Sequence, residues 1–324
     1  MLPRFVIWPL FVAARAIEKR FPRRSLALCQ IVAASTADPS SVGAQRLHAA
    51  AQVCEALLWG RLGDRERSLG INNAVIGAFE ASDDEELREH VAWAMVNKGF
   101  DLGESDRALD AIEVYRTLTE STPHEEPFLE PLAQGLMNWA VALDKLERHA
   151  EETEVYDKIR DLLAGTRDDS RSQHLLAWAF VNKGITLASE RDFEAAIALY
   201  DVVLKRWWTP AFSVDMPTRM HEAMAAALRH RAASLVDSGH PEAAIADVGR
   251  AVDRYLGAGD DGMEEEVAWA LLTKGVALER LGRKAEARLT YDVLVRRYRR
   301  SSSRPVRLAL GSARRLREGL EDQH

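Results

Sequence analysis

The chain has 324 residues, 47% of them hydrophobic and 29% charged, with a formal net charge of −7. That hydrophobic share excludes a disordered chain, and the negative balance argues against binding DNA or RNA over the whole surface. Aromatics are few and Ala, Leu, Arg and Glu are common, so helix is favoured throughout and no sheet is expected.

In chain order, the first segment is "MLPRFVIWPLFVAARAIEKRFPRR", which opens with one Arg, runs apolar from Phe5 to Ala14 and then turns basic. Ten apolar residues are too few to span a bilayer, and Pro9 interrupts them. The segment reads as a capping helix that buries its apolar face on the next element, with a membrane-surface tether as the alternative. Cys29 and Cys54 each sit inside an apolar helical stretch, outside any paired short-spacing motif. Neither a disulfide framework nor a zinc site follows from that placement, and a reducing cytoplasm is the expected compartment.

Beyond this segment the sequence repeats. "VAWAMVNKG" at 91–99, "LLAWAFVNKG" at 175–184 and "VAWALLTKG" at 267–275 end alike in Lys-Gly. With Gly99 as anchor, Leu102, Ala111, Tyr115 and Pro123 follow at +3, +12, +16 and +24. The offsets +3, +12 and +16 give Leu187, Ala196 and Tyr200 after Gly184, and Leu278, Ala287 and Tyr291 after Gly275. Weaker copies begin at Ala13, at Ala56 (Trp59, Ser68, Asn72), at Ala140 (Leu143, Tyr156, with Glu152 where Ala is expected) and at Ala232 (Leu235, Ala244, Val248). Successive anchors lie 43, 43, 41, 44, 48 and 43 residues apart, so seven units cover most of the chain.

Each unit reads as two helices. The first, for example from Glu85 to about Gly103, opens with Ser82 and Glu85 as a capping box among acids that suit a helix N-terminus. A short turn such as "LGD" at 62–64, "SGH" at 238–240 or "LGR" at 281–283 then ends it at Gly. Polar or Pro-containing gaps separate the units, "STPHEEP" at 121–127, "TPAFSVDMP" at 209–217 and "GAGDDG" at 257–262. The expected organisation is a cap or degenerate first repeat over 1–40, tandem repeats over 41–300 and a C-terminal capping helix with a short tail over 301–324.

These residues carry a family resemblance. The series of a small residue, Leu or Tyr at +3, Ala at +12, an aromatic at +16 and sometimes a Pro at +24 resembles the tetratricopeptide repeat, and "TKGVALERLGRKAEARLTYDVLVRR" at 273–297 is similar to its long-period bacterial variety, NKGxxLxxLGRxxEAxxxYDxVxxR. The period is about ten residues over the usual 34, Lys98, Lys183 and Lys274 stand where a buried Leu is usual, and the Trp lies six residues before the anchor instead of four. The resemblance implies an all-α, right-handed solenoid of stacked antiparallel helix pairs whose concave face, lined by first helices, captures a peptide or partner protein.

Groove positions carried over from the family lie six before, two before and one after the anchor. They give Trp93, Asn97 and Phe100; Asn138 and Val141, with Gln134; Trp178, Asn182 and Ile185; His230, between Ala226 and Ala233; and Trp269 and Thr273, with Val276. Asn amides at such positions pair with the backbone of an extended ligand, and Trp and Phe supply anchor area. A Trp recurring every other unit fits inter-repeat core equally well. The series Tyr115, Tyr156, Tyr200 and Tyr291 reads as core. Lys98, Lys183 and Lys274 read as snorkelling surface residues, with a ladder for an acidic ligand as the alternative. Apolar Val96, Met137 and Val181 occupy positions where the family's carboxylate clamp carries Lys, which argues against a clamp of that type.

At the C-terminal end Arg296, Arg297, Arg299, Arg300, Arg304, Arg307, Arg314, Arg315 and Arg317 follow one another with no acid until Glu318. They decorate a final helix predicted from 305 to about 319, capped by Leu308, Leu316 and Leu320, or else they dock an acidic partner or nucleic-acid phosphates. The chain carries no Gly-rich phosphate loop, nucleophile elbow, HExxH helix or CxxC pair, and its only near cluster of histidines, His221, His230 and His240, shares no helix face. The expectation is a non-enzymatic cytoplasmic scaffold for a protein or peptide, with no metal, cofactor or small-molecule substrate. Membrane tethering through the N-terminal helix and nucleic-acid or acidic-partner binding through the arginines are the alternatives.

Overall fold

The computed structural model describes residues 4–18, 20–37, 41–166, 172–208, 218–257 and 261–321. The predicted linker at 209–217, and residues 258–260 of the predicted gap at 257–262, lie outside them. All regular structure among the described residues is α-helical, and the chain divides into two compact units, Met1–Thr166 and Arg167–His324.

The first unit holds α1 (Arg4–Ile17), α2 (Pro22–Ser35), α3 (Val42–Arg61), α4 (Arg65–Phe79), α5 (Glu85–Gly103), α6 (Ala108–Ser121), α7 (Leu129–Asp144) and α8 (His149–Leu163). The second holds α9 (Gln173–Ser189), α10 (Phe193–Trp207), α11 (Thr218–Asp237), α12 (Pro241–Tyr255), α13 (Asp261–Arg280), α14 (Lys284–Tyr298) and α15 (Arg304–Glu321). Every anchor read from the sequence falls in the first helix of a pair, from Ala13 in α1 to Gly275 in α13. Within each unit a helix packs on its chain neighbour, and first helices also pack on one another, α3 on α5, α5 on α7, α9 on α11 and α11 on α13.

One contact explains the Lys-Gly ending. A Cβ added to Gly99 would lie 2.4 Å from Cε1 of Tyr115, at Gly184 2.6 Å from Tyr200, and at Gly275 2.1 Å from Tyr291. The buried tyrosine of the second helix lies directly on the anchor glycine of the first, a separation that no side chain at the anchor permits. The fourth pair combines Ala140 with Tyr156, whose hydroxyl instead donates to Oε1 of Glu152 on its own helix, 3.0 Å away.

The turns are equally repetitive. From the second pair to the seventh, the residue seven after the anchor has positive φ: Gly63, Asp106, Glu147, Arg191, Gly239 and Gly282. The next residue's N–H donates back to the carbonyl of the +3 residue, at 3.0 Å for Asp64 to Trp59, Arg107 to Leu102 and Arg148 to Leu143, and at 2.9 Å for Asp192 to Leu187. This left-handed termination closes one helix, and its last residue is also the N-cap of the next. Asp64 and Asp192 cap with their carboxylates, accepting from Arg67 N and Ala195 N. At α5 the cap is Asp84, which accepts from Leu87 N at 3.1 Å, and Ser82 only accepts from the Asp84 amide. The predicted capping box is therefore replaced by a single N-cap at Asp84, two residues on, since the third helical residue after it is Leu87, which offers no acceptor to the cap amide.

At the ends, Ile7, Phe11 and Ala14 of α1 pack toward α2 and α3, while Trp8 and Val12 remain exposed. No helix among the described residues is long and apolar enough to cross a membrane. Cys29 and Cys54 meet in one buried cluster with Ala14, Leu26 and Leu58. A hydrogen bond between the thiols pulls Cys54 below the ordinary thiol value and, together with burial, pushes Cys29 up. Helix α15 buries Val306, Ala309, Leu310, Ala313 and Leu320, but Leu308 is 58% exposed. The predicted capping face is therefore corrected at Leu308, which lies off the helical stripe that the buried residues trace.

The glycine contact makes a prediction opposed to helix propensity. Alanine is the better helix former by about 1 kcal/mol, yet Gly275→Ala is expected to lower stability, since overpacking costs about 1–3 kcal/mol. The double change Gly275→Ala with Tyr291→Val, which copies the Ala232 and Val248 pairing, should recover part of the loss in a urea melt. A single variant as stable as wild type would show that the ring yields freely.

Candidate functional site

The carried-over positions behave differently by register. Two residues before the anchor, the side chains brace neighbouring elements. Asn97 Nδ2 donates to the Val53 carbonyl of α3 at 3.4 Å. Asn138 accepts from Gln134 Nε2 at 3.0 Å and also hydrogen-bonds with Tyr115 of the preceding pair. His230 stacks on Tyr200 of its preceding pair, ring centroids 6.3 Å apart, and its Nε2 accepts from Arg229, which is itself bonded to Glu266 of α13. The Thr273 hydroxyl donates to the Trp269 carbonyl at 3.1 Å, whereas the half-buried Asn182 makes no side-chain hydrogen bond among the described residues.

Six before the anchor, Trp93 and Trp269 are half-buried and packed on core clusters, and Trp178 is also half-buried. One after it, exposure returns. Phe100 and Val141 are 48% and 46% exposed, and they share a register on the adjacent helices α5 and α7. Together with Asn138 and Tyr115 they border a depression of about 80 Å³. At its rim Lys145 Nζ donates to Glu104 Oε1 at 2.8 Å and to the Gly103 carbonyl at 3.0 Å. In the second unit Ile185 and Val276 at the same register are half-buried.

Of the nine arginines, four are held. Arg317 Nη1 donates to Asp292 at 3.0 Å, Arg296 Nε to the Asp292 carbonyl at 3.2 Å and Arg315 to Ser312 at 3.3 Å, and Arg297 lies over the Tyr298 ring. Arg299, Arg300, Arg304, Arg307 and Arg314 are exposed and make no ion pair among the described residues. Arg297 and Arg300 border an open cleft of about 750 Å³ that Glu264 and Glu265 line from the other side.

Sequence reasoning missed a second cleft, of about 560 Å³, between α4 and α6 with α5 as its floor. Ile76, Val91, Met95 and Val114 make it apolar, and Lys98 and Arg88 stand beside it, the guanidinium 5.4 Å from the centre of the Phe128 ring. The Lys before each anchor Gly was the one signal in the sequence that pointed here.

The tandem pairs define an all-helical repeat protein. Residues 229–302 match the family model for the tetratricopeptide repeat. No curated protein sequence matches it. Among solved structures it is similar to a tetratricopeptide repeat protein from Parabacteroides merdae ATCC 43184, at 11% identity and TM-score 0.54 over 95% of this chain and 98% of that one. It is also similar to the apo form of RapI, at 12% identity and TM-score 0.55 over 88% of this chain and 98% of that one. At such identities the likeness establishes the fold.

Burial holds His90 at about 4 and His230 well below the ordinary imidazole value of 6.5. Between these values the unfolded chain takes up a proton at position 90 that the native state refuses, so stability falls as pH falls from 6.5 toward about 4. The slope contributed by one such group approaches about 1.4 kcal/mol per pH unit. His90→Gln should flatten the decline in urea-melt stability between about pH 7 and 5 by close to one proton; equal slopes in the two proteins would exclude His90 as its source.

Proposed function

We propose that the chain binds a peptide or a segment of a partner protein on the first-helix face of its repeats, and that the contact in the first unit centres on Phe100 and Val141. What supports this reading is the placement of two large apolar side chains, each about half exposed, side by side on α5 and α7 next to a polar rim. An apolar pair ringed by Asn138, Lys145 and Glu104 has the make-up of a small binding hot spot, where anchor area supplies affinity and the rim sets direction. Asn97 is tied to the Val53 carbonyl; Asn182 is the better candidate for a ligand-facing amide. No catalytic constellation contributes to this reading, which is that of a scaffold.

A random-peptide selection on the purified protein tests it. Peptides with an apolar anchor are expected, and Phe100→Asp or Val141→Asp should each weaken their binding by about tenfold or more, at unchanged helicity and melting temperature. Affinity indifferent to both changes would remove the face from consideration.

A second reading rests on the five unpaired arginines at the C-terminal end, which favour an acidic partner segment. Binding of a polyglutamate peptide should weaken steeply with salt, and the double change Arg300→Gln with Arg307→Gln should make the dependence on log salt shallower by about one charge per arginine. A salt dependence identical to wild type would sink it.

A further inference from the structure

We propose that Asp144, His149 and Glu152 bind a divalent transition-metal ion, of which zinc is the best match, and that the ion pins the turn between α7 and α8. The starting observation is a break in the repeat. At the +12 position the other second helices bury a small side chain, Ser68, Ala111, Ala196, Ala244 or Ala287, each with no exposed area. The fourth pair buries a carboxylate there instead, since Glu152 is only 3% exposed. A carboxylate at this position brings oxygens that can ligate a cation to the turn between α7 and α8.

The surroundings supply ligands of the appropriate kind. Glu152 Oε2 lies 3.3 Å from His149 Nδ1, and His149 Nδ1 lies 4.0 Å from Asp144 Oδ1. The three donor atoms all fall within 4.8 Å of one another. Zinc bound to imidazole nitrogen and carboxylate oxygen at about 2.0–2.2 Å in a tetrahedron holds its ligand atoms about 3.4 Å apart. The edge from His149 to Glu152 has that length already. Asp144, the last residue of α7 with its side chain 63% exposed, closes the remaining distance by side-chain rotation.

Two further features suit a metal. Glu152 Oε1 accepts the Tyr156 hydroxyl, which fixes the carboxylate and leaves Oε2 turned to the imidazole, as an outer partner orients a ligand. The turn is set by its backbone, with Glu147 at φ 56° and the Arg148 N–H donating to the Leu143 carbonyl. The ligands therefore come from two helix ends whose separation is fixed before any ion arrives. Three protein donors leave a fourth position for water.

The test uses the untagged full chain, stripped with chelator and titrated with Zn²⁺ by calorimetry and with Co²⁺ by visible absorption at about pH 7.5. One equivalent should bind with a Kd in roughly the micromolar range. Glu152→Ala, which restores the residue most other pairs carry and so retains the fold, and His149→Ala should each weaken binding about tenfold or more. The Co²⁺ complex should show d–d bands without the near-ultraviolet thiolate band that Cys29 and Cys54 would produce. Three results overturn the proposal: no saturable binding below about 1 mM, the same Kd in both variants and wild type, or a thiolate band.

Discussion

A tyrosine ring lying on a glycine sets the distance between the two helices of the strong pairs, and much of the surface follows from it. With no Cβ at Gly99, Gly184 or Gly275, the ring approaches the backbone of the first helix and becomes fully buried. Burial then raises the tyrosines above the ordinary phenol value. The hydroxyls are met from outside the second helix, Tyr115 by Asn138 and Tyr291 by Glu279. The contact that closes one pair thus fixes side chains on neighbouring helices: it orients Asn138 at the rim of the depression and holds His230 stacked on Tyr200.

Pairs that lack the glycine and tyrosine fill the same space by other means. Where the second pair has Ala56 and Asn72, a polar cluster forms instead: Asn72 Nδ2 donates to Ser68 at 3.3 Å, and the Asp101 carboxylate of the next first helix lies beside Gly60. Burial raises Asp101 above the usual carboxylate range, partly offset by a hydrogen bond with Ser68. The fourth pair uses Glu152 with Tyr156. The second and fourth pairs therefore have polar fillings and the sixth an apolar one in Ala232 and Val248, and the polar ones carry the specific hydrogen bonds that a uniform apolar core would lack.

The pairing of helices was legible in the sequence because its signals are local and repeated. Small residue, Leu, Ala and Tyr at fixed offsets mark positions that must be small, must bond the turn or must be buried, and each requirement recurs in every strong pair. The candidate site was only partly legible. Register identified residues on the first helices, but it does not distinguish Asn97, whose amide reaches Val53, from Asn182, whose amide reaches nothing described. Nor did it separate Phe100, half exposed, from Trp93, packed on its cluster. Those outcomes depend on partners about 40 residues away, which an offset cannot encode. Glu152 was visible as a departure from the pattern, while its meeting with Asp144 and His149 required the left-handed turn to bring them together.

Within each unit, every helix packs only on helices one or two places away in the chain. The loops that must close before a contact forms are therefore short, and the entropy lost in closing each grows only slowly with its length. Such a topology has low contact order, which goes with rapid folding by addition of one hairpin to the next. Assembly can then begin at any hairpin and spread to its neighbours, so the residues that close a single pair bear on the order in which a unit assembles.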